Sequence, residues 1–240
     1  MEQAAGWDRF LTDRDREVLR RAGREKTTPF GLGSKPALLL VDVYYAALGT
    51  ERVDILESVE KWPMSCGAQG WEAVDHIVTL LEHARATGIP VVHIGLLEGF
   101  LSPWARETRN VLTKLTPEEE ARAFQLIDEV TPRADELVVD KTAPSGFQGT
   151  PLEYHLTALG IDTLIVCGES TSGCVRATVV DAATHRYKVG VVGEACFDRT
   201  EASHWINLFD MDQKYSDVID VAAATEYMSS VGSAKVAASA

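Results

Sequence analysis

Residue types that do hydrolytic chemistry stand just past three apolar runs of this chain. Asp42 ends the run in LLLVDVYY, Lys141 follows Asp140 directly after ELVVD, and Cys174 lies a short turn beyond TLIVC. An acid, a cation and a thiol brought to one place are the parts of an activated nucleophile. The turn before Cys174, Gly168 to Gly173 (GESTSG), is built of small residues, and Cys174 opens the helical stretch CVRATVVDAATHR. A thiol at a helix N-terminus feels the positive end of the dipole, and a neighbouring ammonium lowers its pKa further. Each residue alone has an ordinary alternative. Asp42 fits a helix cap or a buried ion pair, Lys141 a solvated lysine, and Cys174 a small packed apolar side chain.

The same turn permits a second reading. Gly168-Glu169-Ser170-Thr171-Ser172 nearly matches the G-x-S-x-G elbow of serine hydrolases, with Ser170 as nucleophile. Ser172 replaces the final glycine, however, and no acid-then-histidine order follows downstream. Small residues also suit a phosphate cradle, but no glycine-rich nucleotide fingerprint follows a strand.

The elements that must position these groups are short strands alternating with longer helical stretches, the pattern of βαβ units and a parallel sheet. Expected strands are 37–43, 90–95, 136–140, 163–167, 188–192 and, more weakly, 217–221. They read as near-continuous apolar runs, as strands buried on both faces do. Helices are expected near 11–22, 71–87, 117–128, 151–159, 174–186 and 201–212. In such a sheet ligands bind beyond the carboxyl ends of the strands, where Asp42, Lys141 and Cys174 all fall. Residues 1–34 and 46–70 lack periodicity and read as arms over a pocket or subunit interface, and 229–240 as a flexible tail.

The 240 residues carry 36 acidic and 23 basic side chains, a net charge of −13, which argues against nucleic acid or an anionic membrane as partner. With 45% hydrophobic and 25% charged residues the composition is that of a globular domain. Cysteines at 66, 167, 174 and 196 fit neither C-x-x-C pairs nor a zinc ribbon. No apolar leader precedes Trp7 and no apolar run approaches the ~20 residues of a membrane span. A cytoplasmic protein with reduced thiols is expected.

From about Pro36 to Val221 the chain resembles the isochorismatase-like cysteine hydrolases. Three motifs carry the resemblance: ALLLVDV with Asp42, KTAPSGFQGTPL with Lys141, Ser145, Phe147, Thr150 and Leu152, and GESTSGCVRATVVDAA with Cys174. TSGCVRAT and ACFDRTEASH are most similar to the N-carbamoylsarcosine amidohydrolase branch, with maleamate amidohydrolases as close neighbours.

The resemblance implies a three-layer αβα, Rossmann-like fold with a mostly parallel sheet of about six strands. The catalytic domain would cover 35–228 after an N-terminal arm with a helix. It further implies that Asp42 acts as base and then acid, that Lys141 holds Asp42 and the sulfur in register, and that Cys174 attacks a carboxamide or ureido carbonyl. A cis peptide at Glu169–Ser170 and an oxyanion hole from the amides of Ser170 and Cys174 belong to the same pattern. Arg199 would grip a substrate carboxylate; a surface pair with Asp198 or Glu201 is its alternative. Thr171 is a second candidate donor, and Phe147, Trp62 and Trp104 are candidate walls that fit plain core equally well.

Metal-binding relatives carry histidines shortly after the first strand, whereas none occurs here between Asp42 and Trp71. His76, His83 and His93 read as structural, and neither metal nor other cofactor is expected. The implied partner is a small carboxylate-bearing amide or ureido substrate, and the implied assembly a homodimer or homotetramer. A maleamate-type amidase and a non-catalytic, flavodoxin-like binding subunit remain alternatives.

Overall fold

The computed structural model describes residues 6–25, 28–97 and 115–238. Six strands form one sheet: β1 (Pro36–Val41), β2 (Val91–Leu96), β3 (Leu137–Lys141), β4 (Thr163–Glu169), β5 (Lys188–Phe197) and β6 (Asp217–Ile219). Their order is β3-β2-β1-β4-β5-β6, and every pairing is parallel. The helices are α1 (Asp13–Arg21), α2 (Tyr45–Leu48), α3 (Ile55–Lys61), α4 (Gly67–Thr87), α5 (Pro117–Arg122), α6 (Leu152–Ala158), α7 (Arg176–Thr184), α8 (Glu201–Lys214) and α9 (Val221–Ala238).

Alternation along β1 divides the core into two layers. Leu38 and Leu40 pack with α4 and with Ala224 and Met228 of α9, while Ala37, Leu39 and Val41 pack with α6, α7 and α8. Each fully buried leucine contributes about 1.5–3 kcal/mol. The expected αβα layering is therefore present. The strand order reverses direction between β1 and β4, and in such sheets that switch point is where a crevice opens for ligand. Among the described residues no helix is long and apolar enough to cross a membrane.

The structure departs from the sequence expectations at several segments. The 46–70 stretch is core at its two ends and exposed between them: Tyr45 to Leu48 are all buried, as are Trp62, Ser65 and Cys66, whereas Thr50 to Arg52, Leu56 and Glu57 are exposed, and α4 begins at Gly67. Its weak periodicity reflects short helices joined by turns; Ser65 Oγ, for instance, donates to the Leu48 carbonyl at 2.7 Å. The helix expected over 117–128 stops at Arg122. Beyond it the chain runs along 43–46, with Ile127 N donating to the Val43 carbonyl and Ala46 N to the Ala123 carbonyl, which draws Ala123 and Ile127 into the core. At the other end, α9 carries a helix through most of the stretch expected as a tail, and Gly232 packs against Thr87 of α4. Trp104 lies outside the described residues.

One buried network fixes the strand that carries Lys141. Arg85 of α4 pairs with Glu136 at 2.7 Å, and His93 of β2 meets the other Glu136 oxygen at 2.9 Å. Burial acts to raise the Glu136 pKa, but hydrogen bonds from Arg85, the Arg133 amide and His93 outweigh it and hold the carboxyl at about 2. A carboxylate held below its ordinary value adds stability above that value and loses it as the pH falls toward 2. Burial holds His93 below the usual histidine range, so acid works against the fold there too. Glu136→Gln should cost roughly 2–3 kcal/mol at pH 7 and flatten stability between pH 4.5 and 2. Urea unfolding across that range reads this directly, and an unchanged acid limb would refute it.

Candidate active site

Asp42, Lys141 and Cys174 meet at the switch point. Asp42 follows β1 with φ 54°, a left-handed backbone that aspartate tolerates better than most residues. Its amide donates to the Ile94 carbonyl at 2.8 Å, tying the turn to β2. Lys141 ends β3, and its Nζ lies 2.8 Å from Asp42 Oδ2 and 3.4 Å from Cys174 Sγ. Both charged side chains are essentially fully buried, yet neither oxygen of Asp42 receives an aligned hydrogen bond. Lys141 is the cation that faces that carboxylate.

Cys174 sits in a single π-turn, Thr171–Val175, between β4 and α7, so the helix expected from 174 starts instead at Arg176. Such turns inside or beside helices recur at functional sites. Gly168, with φ 118°, lets the chain pass against β1: a Cβ there would lie 2.0 Å from the Val41 carbonyl oxygen. The Glu169–Ser170 peptide is cis. Ser172 N donates to Asp198 Oδ2 at 2.8 Å, and Gly173 N and Val175 N donate to the Ser170 carbonyl, which fixes the turn. Among the four cysteines only Cys174 is not fully buried.

The electrostatics overturn one sequence expectation. Burial, and then the Asp42 carboxylate, push the Cys174 pKa well above the ordinary thiol value, with Lys141 opposing them. The resting sulfur is therefore a thiol facing a carboxylate. Burial also raises Asp42, while Lys141 and Cys174 pull it back. For Lys141 burial acts downward, but Asp42 and Cys174 outweigh it and hold the ammonium above its usual range. Burial thus opposes charge on all three groups, while Asp42 and Lys141 each favour the charged form of the other.

The other candidates have partners of their own. Arg199 pairs neither with Asp198 nor with Glu201 through its side chain; its Nη1 donates to Glu169 Oε1 at 2.7 Å and to the Met64 carbonyl at 2.8 Å. Thr171 is fully buried, with Oγ1 2.9 Å from His204 Nδ1, and burial drives His204 down to about 4, leaving it neutral. Since His204 engages Thr171, it does not activate Ser170. Phe147 is buried and stacked on His185 at 5.3 Å, and Trp62 packs in the α4 layer; both are core. His83 bonds Ser229. A hollow of about 780 Å³ beside β5 and α8, lined by Trp7, His76 and Trp205, touches none of Asp42, Lys141 and Cys174.

Two residues that the sequence reading passed over belong to the site. Glu169 looked like part of a turn but is buried, and Tyr44 is buried within the electrostatic reach of Asp42, Glu169, Cys174 and Arg199. The available signal was an acid that follows the apolar run TLIVC and sits in a turn otherwise built of small residues.

Known proteins are similar to this chain in sequence and in fold. The chain is 35% identical over 198 residues to maleamate amidohydrolase of Pseudomonas putida, spanning 79% of this chain and 84% of that protein. It is 30% identical over 208 residues to N-carbamoylsarcosine amidase of an Arthrobacter species, spanning 82% and 73%. The crystal structure of an isochorismatase-like hydrolase from Alkaliphilus metalliredigens superposes with a TM-score of 0.65 at 26% identity, covering 81% of this chain and 97% of that one. The isochorismatase domain model matches residues 37–223, which takes in all six strands and all three of the converging side chains. On that match, and on the fold that carries it, this chain belongs to the isochorismatase family.

Proposed function

We propose that the protein is a cysteine amidohydrolase that releases ammonia from a small carboxylate-bearing ureido or amide compound, using no metal or other cofactor. The observation that carries this reading is the convergence of a buried carboxylate, an ammonium at 2.8 Å and a thiol at 3.4 Å from that ammonium. Asp42, whose oxygens lack an aligned donor, accepts the thiol proton as the sulfur adds to the carbonyl. The amides of Ser170 and Cys174 receive the oxyanion. Collapse breaks the C–N bond, Asp42 returns the proton to the departing nitrogen as ammonia, and a thioester remains. Water then adds, Asp42 takes its proton, and the sulfur leaves as thiol with the acid product.

Lys141 stays charged throughout and compensates whichever of Asp42 and Cys174 is negative. The two curated relatives are named for maleamate and N-carbamoylsarcosine, both of which bear a carboxylate beside the carbonyl to be cleaved. Arg199, 37% exposed at its side chain, is the cation placed to meet such a group.

Ammonia release from N-carbamoyl amino acids, maleamate and their uncharged amides tests the reading, and no ammonia from any of them refutes it. Arg199→Ala should lower kcat/KM for the acidic compounds by about 30- to 100-fold relative to the uncharged ones, the value of a charged hydrogen bond. An unchanged preference would remove Arg199 from substrate binding.

A further inference from the structure

Glu169 has no part in the chemistry above, yet it lies at the site. It ends β4, its carboxyl is 4% exposed, and it holds one nitrogen of Arg199 at 2.7 Å. The groups facing it come from every neighbouring element: Asp42 and Tyr44 after β1, Cys66 before α4, Cys174 in the π-turn, and Asp198 and Arg199 after β5. Lys141 stands behind Asp42. Two cations, Lys141 and Arg199, therefore serve three carboxylates, Asp42, Glu169 and Asp198. A substrate carboxylate on Arg199 would bring a fourth negative charge beside Glu169, whose carboxyl is already buried. An uncompensated buried charge costs several kcal/mol, and a carboxyl in that position takes up a proton instead.

We propose that Glu169 is a specificity-determining residue: it competes with the substrate carboxylate for Arg199, so that acidic substrates bind with uptake of one proton on Glu169 while uncharged amides bind without it. The inference deepens the amidohydrolase reading and rests on it.

Burial, partly offset by Arg199, pushes the Glu169 carboxyl up to about 7, so it titrates in the working range. Below that pH the carboxyl is protonated and Arg199 keeps its charge for the substrate. Above it, affinity for an acidic substrate falls tenfold per pH unit, while that for an uncharged one does not. Linkage is reciprocal, so a bound carboxylate raises the Glu169 pKa further.

The test compares maleamate with maleic diamide, and N-carbamoylsarcosine with its amide, by ammonia release from pH 6 to 9 in the wild type and in Glu169→Gln. Dividing the acidic by the uncharged kcat/KM cancels the titration of Asp42 and Cys174. The wild-type ratio should fall above pH 7, and Glu169→Gln should remove the fall and raise the ratio at least tenfold at pH 8.5. A wild-type ratio independent of pH, or the same slope in Glu169→Gln, overturns the proposal, as does a lowered ratio in the variant. Calorimetry of maleamate binding to Cys174→Ala at pH 8, in two buffers of different ionisation enthalpy, gives a reading without the Gln variant. Uptake close to one proton is expected, and none refutes the proposal. Ammonia from neither compound would refute the amidohydrolase reading and this inference together, whereas turnover with a flat ratio refutes this inference alone.

Discussion

Cys174→Ala should abolish ammonia release, with a loss on the order of 10⁴-fold or more, while thermal unfolding stays within about 1 kcal/mol of the wild type. The activity falls because the sulfur is the group that sits beside Lys141, whereas the Thr171 hydroxyl on the same turn is bonded to His204. The fold is spared because Cys174 only borders the core and is the one cysteine not fully buried, so its sulfur leaves little packing behind. Colorimetric ammonia assay alongside circular dichroism separates the two effects. Near-normal turnover in a folded variant would return Ser170, or a binding role, to consideration.

The second large effect combines stability and rate. Lys141→Met leaves Asp42 buried with no counter-charge, and breaking a buried pair from one side costs about 3–5 kcal/mol. Activity should fall on the order of 10³-fold or more, since Asp42 then holds a proton at rest and cannot accept the one from the thiol. Adding Asp42→Asn removes the unpaired charge. The pair of substitutions should regain most of the lost stability, because asparagine also tolerates φ 54°, without regaining any activity. Denaturant midpoints and ammonia release on the two variants decide the matter. Recovery of turnover in the double variant would show that the charges serve the fold rather than the reaction.

What could be read from the sequence was whatever local pattern determines. Runs such as ALLLV and TLIVC can only be strands buried on both faces, and β1 and β4 are those strands. Reactive side chains placed just past such runs must then converge, and Asp42, Lys141 and Cys174 do. The misses arise where a distant partner decides. The alternative pair of Arg199 with Asp198 or Glu201 is not formed, because its side chain reaches Glu169, thirty residues upstream. The lowered thiol pKa expected from a helix N-terminus was reversed by burial and by a carboxylate from another strand. Ala123 and Ile127 left their helix because hydrogen bonds to 43–46 were available.

Lys141 is delivered by β3, the outermost strand, whose Val138 is 48% exposed and whose approach is anchored chiefly through Glu136 and Arg85. Edge elements of this kind open at lower free energy than the centre of a sheet. Warming or acidifying the protein therefore detaches the ammonium from Asp42 before β1 and β4 separate. Inactivation should precede unfolding, and amide exchange in 137–141, followed alongside turnover, should keep pace with the loss of activity.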